Sequence, residues 1–426
     1  FKVLDNGGNT GFNKNDFITK LRYTSNEDAR IKQSLSLKLG YCQETSNETY
    51  VGLTQEDFNI TPYRRYAGSQ MDVMTSTQNQ VSLTYSIQPR KGISLSTSYY
   101  RNNFQRNWYK LSSVKDSLGN KVGISGILAD PTGHQRHYEL LTGGSSVLEE
   151  SFYVKGNNRS YYSQGIQSAL NVDFKTGQVN HDIQFGIRYH QDGMDRFQNQ
   201  DQYSMNNGIM FQTAQGELGT ESNRVRTAFA LASHMQYNFK YKNLDVTPGI
   251  RYEKIDLKEV DFGKNDPERI GTDVSQKSNS IEVFVPGVGF NYSLGEKTAI
   301  YGGIHKGFAP PGTTEGSLPE ESINYEAGTK FFGKNLNFQT VLFYTDYQNL
   351  LGNDLAATGG NGSGNFYNGG EARTLGAEFF ATINIIKSIG LQSKFRLPIT
   401  ISYTYTNAEF LSSFESNFES WGDVYT

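Results

Sequence analysis

Apolar and polar residues alternate along much of the chain. Leu35, Leu37, Leu39 and Tyr41 share one side of an extended segment, opposite Ser34, Ser36, Lys38, Gly40 and Cys42. Val81, Leu83, Tyr85 and Ile87 likewise oppose Ser82, Thr84, Ser86 and Gln88. Ile183, Phe185, Ile187 and Tyr189 oppose Asp182, Gln184, Gly186 and Arg188. The period of two returns in Val225, Thr227, Phe229, Leu231, Met235, Tyr237 and Phe239, set against Arg224, Arg226, Ala228, Ala230, His234 and Gln236. Segments of this kind are strands with one dry and one wet face. About fourteen can be drawn, at 16–24, 32–44, 76–88, 93–103, 160–174, 180–192, 224–239, 244–258, 277–292, 297–306, 322–332, 335–349, 370–386 and 398–410. Near Pro286 the phase slips, which predicts a bulge. The strands around 299 and 340 are ambiguous in face.

The connections follow a rule. SNEDARI, PRKG, TGQV, KYKN, SLGEK and FFGK are short joins within six pairs, and the seventh pair has a looser one. Between pairs lie long polar stretches such as 45–75 and 104–159, and another that runs to about 223. A soluble sandwich has no reason to gather its long loops at one end. An outer-membrane barrel does, with short periplasmic turns and long extracellular loops. The expected fold is therefore an all-β, transmembrane antiparallel β-barrel whose dry face meets lipid and whose wet face lines the lumen. Closure leaves no unsatisfied strand edge in hydrocarbon. The first strand follows a long-loop segment and the last enters another, FLSSFESNFESWGDVYT. Residues 1–426 are accordingly expected to be a partial barrel of a protein with sixteen strands or more.

Composition agrees with strands and turns: 27 Tyr, 27 Phe and 44 Gly stand against 10 Pro. No window approaches the roughly 18 apolar residues of a membrane helix. A formal net charge of −3 gives no reason to expect nucleic acid. A single cysteine, Cys42, excludes an intrachain disulfide and a cysteine-built metal site. The opening FKVLDNGG has neither the basic nor the apolar region of a signal peptide, so an exported protein would carry that peptide outside this chain.

YGGIHKGFAPPG (301–312), PEESINYEAGTKF (319–331), VLFYTDYQNLL (341–351), NGGEARTLGAEFF (368–380) and SYTYTNAEF (402–410) together resemble the barrel of TonB-dependent outer-membrane transporters. TPYRRYAGSQMD (61–72), NWYKL (107–111) and NNRSYYSQGIQ (157–167) are similar to the ferric citrate branch of siderophore receptors. The resemblance spans nearly the whole chain. It implies a 22-stranded barrel, an N-terminal plug domain and a TonB box coupled to the inner-membrane proton gradient. The plug, the box and the final strands are expected outside this chain.

Arg159 opens its strand at the long-loop end and shares parity with Tyr161, Ser163, Gly165 and Gln167. It should point into the lumen near the mouth. Arg224 and Arg226 occupy the same kind of position two strands on, so three guanidinium groups could bind an anion bidentately. Ferric citrate and carboxylate siderophores are suitable anions. The family's ligand sites use arginines at the mouth, and Arg159 and Arg224 are the closest matches. The competing reading pairs these arginines with acids across strands. Arg101 and Arg106 are expected just above the membrane in a long loop, gathering an anion or simply solvated. Arg64 and Arg65 have the same status, with Tyr63 and Tyr66 stacking on a ligand or packing the loop. The HQRH stretch could clip a metal through His134 and His137 if helical, though its Gly- and Pro-flanked setting argues for a plain loop. ATGGNGSGNFYNGG (357–370) lacks the ending of a phosphate loop and reads as an extracellular loop.

Catalysis is not expected, nor a resident cofactor, since iron would travel as a chelated substrate. The first functional expectation is import of a ferric siderophore at the outer membrane of a Gram-negative bacterium, with ferric citrate foremost. Its partners would be that siderophore, the TonB–ExbB–ExbD complex, and outer-membrane lipid and lipopolysaccharide, with no nucleic acid. Import of a glycan or cobalamin by the same machinery is an alternative, as is a passive porin or adhesin.

Overall fold

The computed structural model describes residues 10–353, 366–368, 370–388, 390 and 394–412. The predicted hairpins form in order. β1 (Phe12–Thr24) turns into β2 (Lys32–Ser46), and β3 (Val73–Arg90) into β4 (Ile93–Lys115). The short β5 (Lys121–Gly123) and β6 (Phe152–Gly156) precede β7 (Arg159–Thr176) and β8 (Val179–Asn206). After β9 (Ile209–Ala214) come β10 (Ser222–Tyr241) with β11 (Leu244–Asp261), then β12 (Ser275–Ser293) with β13 (Thr298–Ala309). β14 (Glu320–Phe332) and β15 (Leu336–Gln348) follow. The short β16 (Leu351–Asn353) and β17 (Phe366–Asn368) pair with each other, and β18 (Ala372–Asn384) with β19 (Pro398–Phe410) closes the series. Fourteen of these strands are long, and each is antiparallel to the next long strand along the chain. Most of the glycine-rich stretch at 357–370 falls outside the described residues.

Register shows which face looks out. Leu83, Tyr99, Ile166, Tyr189 and Leu231 stand side by side across five strands, each between 41% and 49% exposed. A continuous belt of exposed apolar side chains is the lipid face of a barrel. Two residues further toward the long loops the same face turns polar, with Arg101, Gln164 and Gln191 in register. The short turns are tight. Gly92 in PRKG holds φ at +82°, and a Cβ there would meet the Asp173 carbonyl oxygen at 2.4 Å. β13 and β15, ambiguous in sequence, present Ile300, Ile304, Leu342 and Tyr344 outward.

Two expectations are corrected. Pro286 marks no bulge against β11, because the ladder runs evenly through Ile250↔Pro286 and Arg251↔Val285. It lies where pairing with β13 stops, beyond Gly287↔His305, as suits a residue without an N–H to donate. The apparent slip comes from apolar residues on both faces: Phe284 points out, while the buried Ile281 and Val283 point in. Second, β4 and β8 do not end at 103 and 192 but continue to Lys115 and Asn206, well above the membrane. The 104–159 segment is thus largely structured, and it includes α2 (Ile124–Ala129) and α3 (Gln135–Leu141).

These extensions carry the main hydrophobic core, which sits in a cap at the long-loop end rather than in the barrel. Leu111 and Val114 of β4, Ile127 of α2, Leu141 of α3, Phe152 of β6 and Met205 of β8 pack with Tyr66 and Ala67. The last two come from the β2–β3 connection, which also carries α1 (Gln55–Ile60). Arg64 and Arg65 belong to this cap. Arg64 pairs with Asp57, and the buried Arg65 donates to the carbonyls of Asn47 (2.6 Å), Ser69 (2.7 Å) and Asp72 (3.0 Å). Tyr66 is buried and donates to Asp57, whereas Tyr63 is 75% exposed. His137 is buried with Nε2 2.8 Å from the Asn120 carbonyl, and among the described residues no cluster of His, Cys, Asp and Glu could hold a metal.

Asp72 anchors the cap to β4. Its carboxyl accepts the Leu111 N–H at 2.7 Å and the Thr49 hydroxyl at 2.5 Å, and it is 2% exposed. Burial pushes this acid up to about 7, against the pull of those hydrogen bonds and of Arg65 and Lys110. An acid whose folded value is raised stabilises the fold fully below its unfolded pKa, near 4. That contribution fades as pH rises to about 7 and is gone above it. Between pH 6 and 7.5 the cap should lose about 1.2 kcal/mol. Hydrogen exchange at the Leu111 amide, corrected for intrinsic rate, should then quicken roughly tenfold. Asp72→Asn should show no such change.

Candidate functional site

The extension of β4 and β8 brings four arginines into one row. Arg106 of β4 faces Arg159 of β7, Arg159 faces Arg196 of β8, and Arg196 faces Arg224 of β10. All share the inward parity. Arg226 lies one inward step lower, beside Met194. Neighbouring strands are about 4.8 Å apart, so the row spans roughly 15 Å of inner wall. Along β8 it stands seven residues beyond Tyr189, roughly 23 Å, and therefore clear of the lipid belt.

Not every charge in the row is matched. Arg226 pairs with Glu259 of β11, a residue only 4% exposed. Arg224 reaches Glu259 at 3.9 Å and Asp261 at 3.4 Å. Arg106, Arg159 and Arg196 form no ion pair with an acid among the described residues. The nearest carboxylate in sequence, Asp195, is on the opposite face. There it is held bidentately by Arg269 at 2.6 and 2.9 Å. Burial pushes the Arg196 guanidinium down to about 10, and Arg159, Arg224 and Arg226 add repulsion. Unpartnered polar atoms collect in the same place: the Nε atoms of Arg159 and Arg196, Trp108 Nε1, Gln198 Oε1 and Ser222 Oγ. Native proteins leave few such groups unsatisfied unless something else meets them.

Below the row is a cavity of about 480 Å³, within the range of small-molecule sites. Phe104, Tyr161, Met194 and Leu257 give it an apolar wall, while Asp192 and Arg226 contribute charge. Pro311–Thr314, from the β13–β14 connection, close one side. Asn279 secures that connection by donating to the carbonyls of Gly312 (3.3 Å) and Ser317 (3.0 Å). Further down, His190 Nε2 lies 3.2 Å from Asp192, its Nδ1 2.6 Å from the Tyr100 hydroxyl, and Arg188 donates to that hydroxyl at 2.9 Å. Gly165 makes room for Tyr100, since a Cβ there would stand 2.5 Å from the phenol oxygen.

Of the arginines singled out in the sequence, Arg159, Arg224 and Arg226 do line the inner wall. Arg106 joins them, but from within β4 and not from a loop. Arg101 is corrected further: it too belongs to β4, points outward and donates to Gln164 at 2.9 Å. The odd-even alternation that makes Arg106 inward makes Arg101 outward. Arg196, Trp108 and Gln198 were missed. Polar alternation in QDGMDRFQNQ gives no dry face to mark β8 continuing, so only register could have placed them.

The TonB-dependent receptor-like β-barrel family model matches residues 5–423. Comparison with curated proteins by sequence gives no match. Among solved structures, the unliganded ferric citrate transporter FecA is similar at 17% identity and a TM-score of 0.68, covering 94% of this chain and 52% of its own. The siderophore receptor PiuA from Acinetobacter baumannii is 14% identical with a TM-score of 0.63, over 96% of this chain and 59% of its own. The ferric yersiniabactin uptake receptor FyuA from Yersinia pestis is 13% identical with a TM-score of 0.63, over 96% and 54%. The chain spans a little over half the length of these structures. A fourteen-strand meander with an outward apolar belt, matched almost end to end by one receptor family, places this chain among receptors rather than enzymes: it belongs to the TonB-dependent receptor-like β-barrel family.

Proposed function

We propose that this chain forms the wall of an outer-membrane receptor of a Gram-negative bacterium that imports an anionic ferric chelate. Ferric citrate or a related carboxylate siderophore is the preferred cargo. The observation that carries this reading is the set of three inward guanidinium groups, Arg106, Arg159 and Arg196, without acid partners above a cavity. Guanidinium forks match carboxylates in shape and charge. A carboxylate-rich chelate would satisfy donors that are otherwise left bare, and its apolar or flat portions would rest on Phe104, Tyr161 and Met194. A neutral glycan would leave the positive charges of the row uncompensated.

The family membership supports energy coupling through TonB with ExbB and ExbD, in a wall set in outer-membrane lipid and lipopolysaccharide. Capture at the row precedes any coupled step. The row lies on the extracellular side of the apolar belt, where a chelate from outside arrives first. A field of one sign in a walled vestibule also raises the local concentration of oppositely charged ligand.

Binding of ferric citrate to the full-length receptor, followed by calorimetry, tests this reading. Arg196→Ala should weaken binding by roughly ten- to a hundredfold, the worth of one charge-assisted contact of about 1.5–3 kcal/mol. Arg101→Ala, on the outer face, should leave affinity as it was. Unchanged affinity in an Arg159→Ala/Arg196→Ala double variant would sink the proposal. Glu259→Gln should act in the opposite direction. It frees Arg226 from its acid, so ferric citrate should bind several-fold more tightly, with a steeper loss of affinity as salt is raised.

A further inference from the structure

Tyr161 is set apart from the other tyrosines near the site. Its hydroxyl lies 3.4 Å from a terminal guanidinium nitrogen of Arg106 and 3.4 Å from one of Arg159. The ring stacks on Phe104 with centroids 5.9 Å apart and planes inclined by 28°, and it lines the cavity beneath the row. Tyr50, Tyr66, Tyr109, Tyr138 and Tyr203 all have their phenols raised, chiefly by burial. Burial acts on Tyr161 in the same sense, but Arg159 and Arg106 outweigh it and draw this phenol below its ordinary value. Two cationic donors at a phenol oxygen favour the anionic form and leave a lone pair for a third partner.

Ferric iron is a hard cation that prefers oxygen donors, and small hydroxycarboxylate chelates leave part of its coordination shell to water. We propose that Tyr161 is a direct protein ligand to the iron of the bound chelate: Arg106 and Arg159 hold the phenol oxygen at the cavity rim, where it replaces a water on the metal. This rests on the functional reading above and names how that site recognises its cargo. In the step the phenol O–H breaks and its proton leaves to solvent. An iron–phenolate bond forms, one water departs, and the iron stays ferric, with no electron transferred. The row holds the carboxylates while the tyrosine reads the metal. A ferric chelate is thereby distinguished from the free, iron-less acid, which offers the arginines the same carboxylates.

Visible absorption of the full-length receptor tests the assignment, with ferric citrate as probe and binding measured in parallel by retained radioactive iron. Wild type should gain a phenolate-to-iron charge-transfer band on adding ferric citrate, and none on adding gallium citrate, which lacks the acceptor orbitals. Tyr161→Phe should still retain ferric citrate, several-fold more weakly, and show no band. Resonance Raman on the wild type should display iron-bound phenolate vibrations, a readout that does not depend on the variant folding. Retained iron without a band in the wild type, or a band that survives in Tyr161→Phe, would overturn the assignment and leave the import reading intact. No retained iron in the wild type would defeat the import reading itself, and the tyrosine assignment with it.

Discussion

The even register of the antiparallel ladders is the constraint on which everything else depends. From β3 through β12 the long strands pair residue by residue, with one irregularity, between Ile87 and Arg90 near the β3–β4 turn. Because side chains alternate with a period of two, a one-residue slip in any of these ladders would exchange its two faces. Such a slip at β8 would send Tyr189 inward and Arg196 outward. In hydrocarbon the backbone has no alternative partner, so the ladders that satisfy its polar groups also fix the faces. The lipid belt and the arginine row are therefore two results of one register.

Register alone does not explain how so much positive charge persists at the mouth. Adjacent guanidinium groups repel, and Arg196 is largely buried as well. Such a row is held by structure around it. The cap core clamps the far ends of β4 and β8 through Leu111, Phe152 and Met205, so the strands cannot splay to relieve the repulsion. Alternation puts Asp195 on the outer face, where Arg269 holds it bidentately away from Arg196. At β11 the wall supplies Glu259 and Asp261, which pair with Arg226 and Arg224. The charge thus rises from a balanced side at β11 to an unbalanced side at β4, over the cavity.

Much of this was legible in the sequence, and the failures have a common cause. All fourteen long strands and the alternation of short and long connections follow from apolar periodicity and turn residues, because lipid enforces a dry face wherever a strand crosses it. Above the lipid nothing enforces one. The outer part of β4 reads FQRNWYK, with no apolar outward face, so nothing in the sequence carries the strand past 103 or sets Arg106 on its wall. The outer part of β8 hid Arg196 in the same way. Arg159, Arg224 and Arg226 could be placed because each lies near the start of a strand whose lipid-facing portion carries the phase. Which of them would be matched by acids could not be read, since Glu259 is separated from Arg226 by a whole hairpin. The Pro286 reading failed for a related reason: Ile281 and Val283 are apolar because the inner wall is covered there, a fact of tertiary packing and not of strand geometry.

The cap and the row are also one electrostatic unit. Lys110 sits on the inward side of β4 four residues above Arg106, with its ammonium 4.2 Å from the Tyr50 ring centre and 5.6 Å from that of Trp108. Burial pushes this lysine down to about 8; Asp72 opposes that shift, while Lys155, Arg106 and Arg159 reinforce it. The cationic row and the buried Asp72 that ties the cap to β4 thus act on the same ammonium with opposite sign. An anion bound at Arg106 and Arg159 would offset their repulsion of Lys110, and so favour the charged lysine beside Asp72. The row and the cap anchor thus meet at one side chain, through charge placed within four residues of one strand.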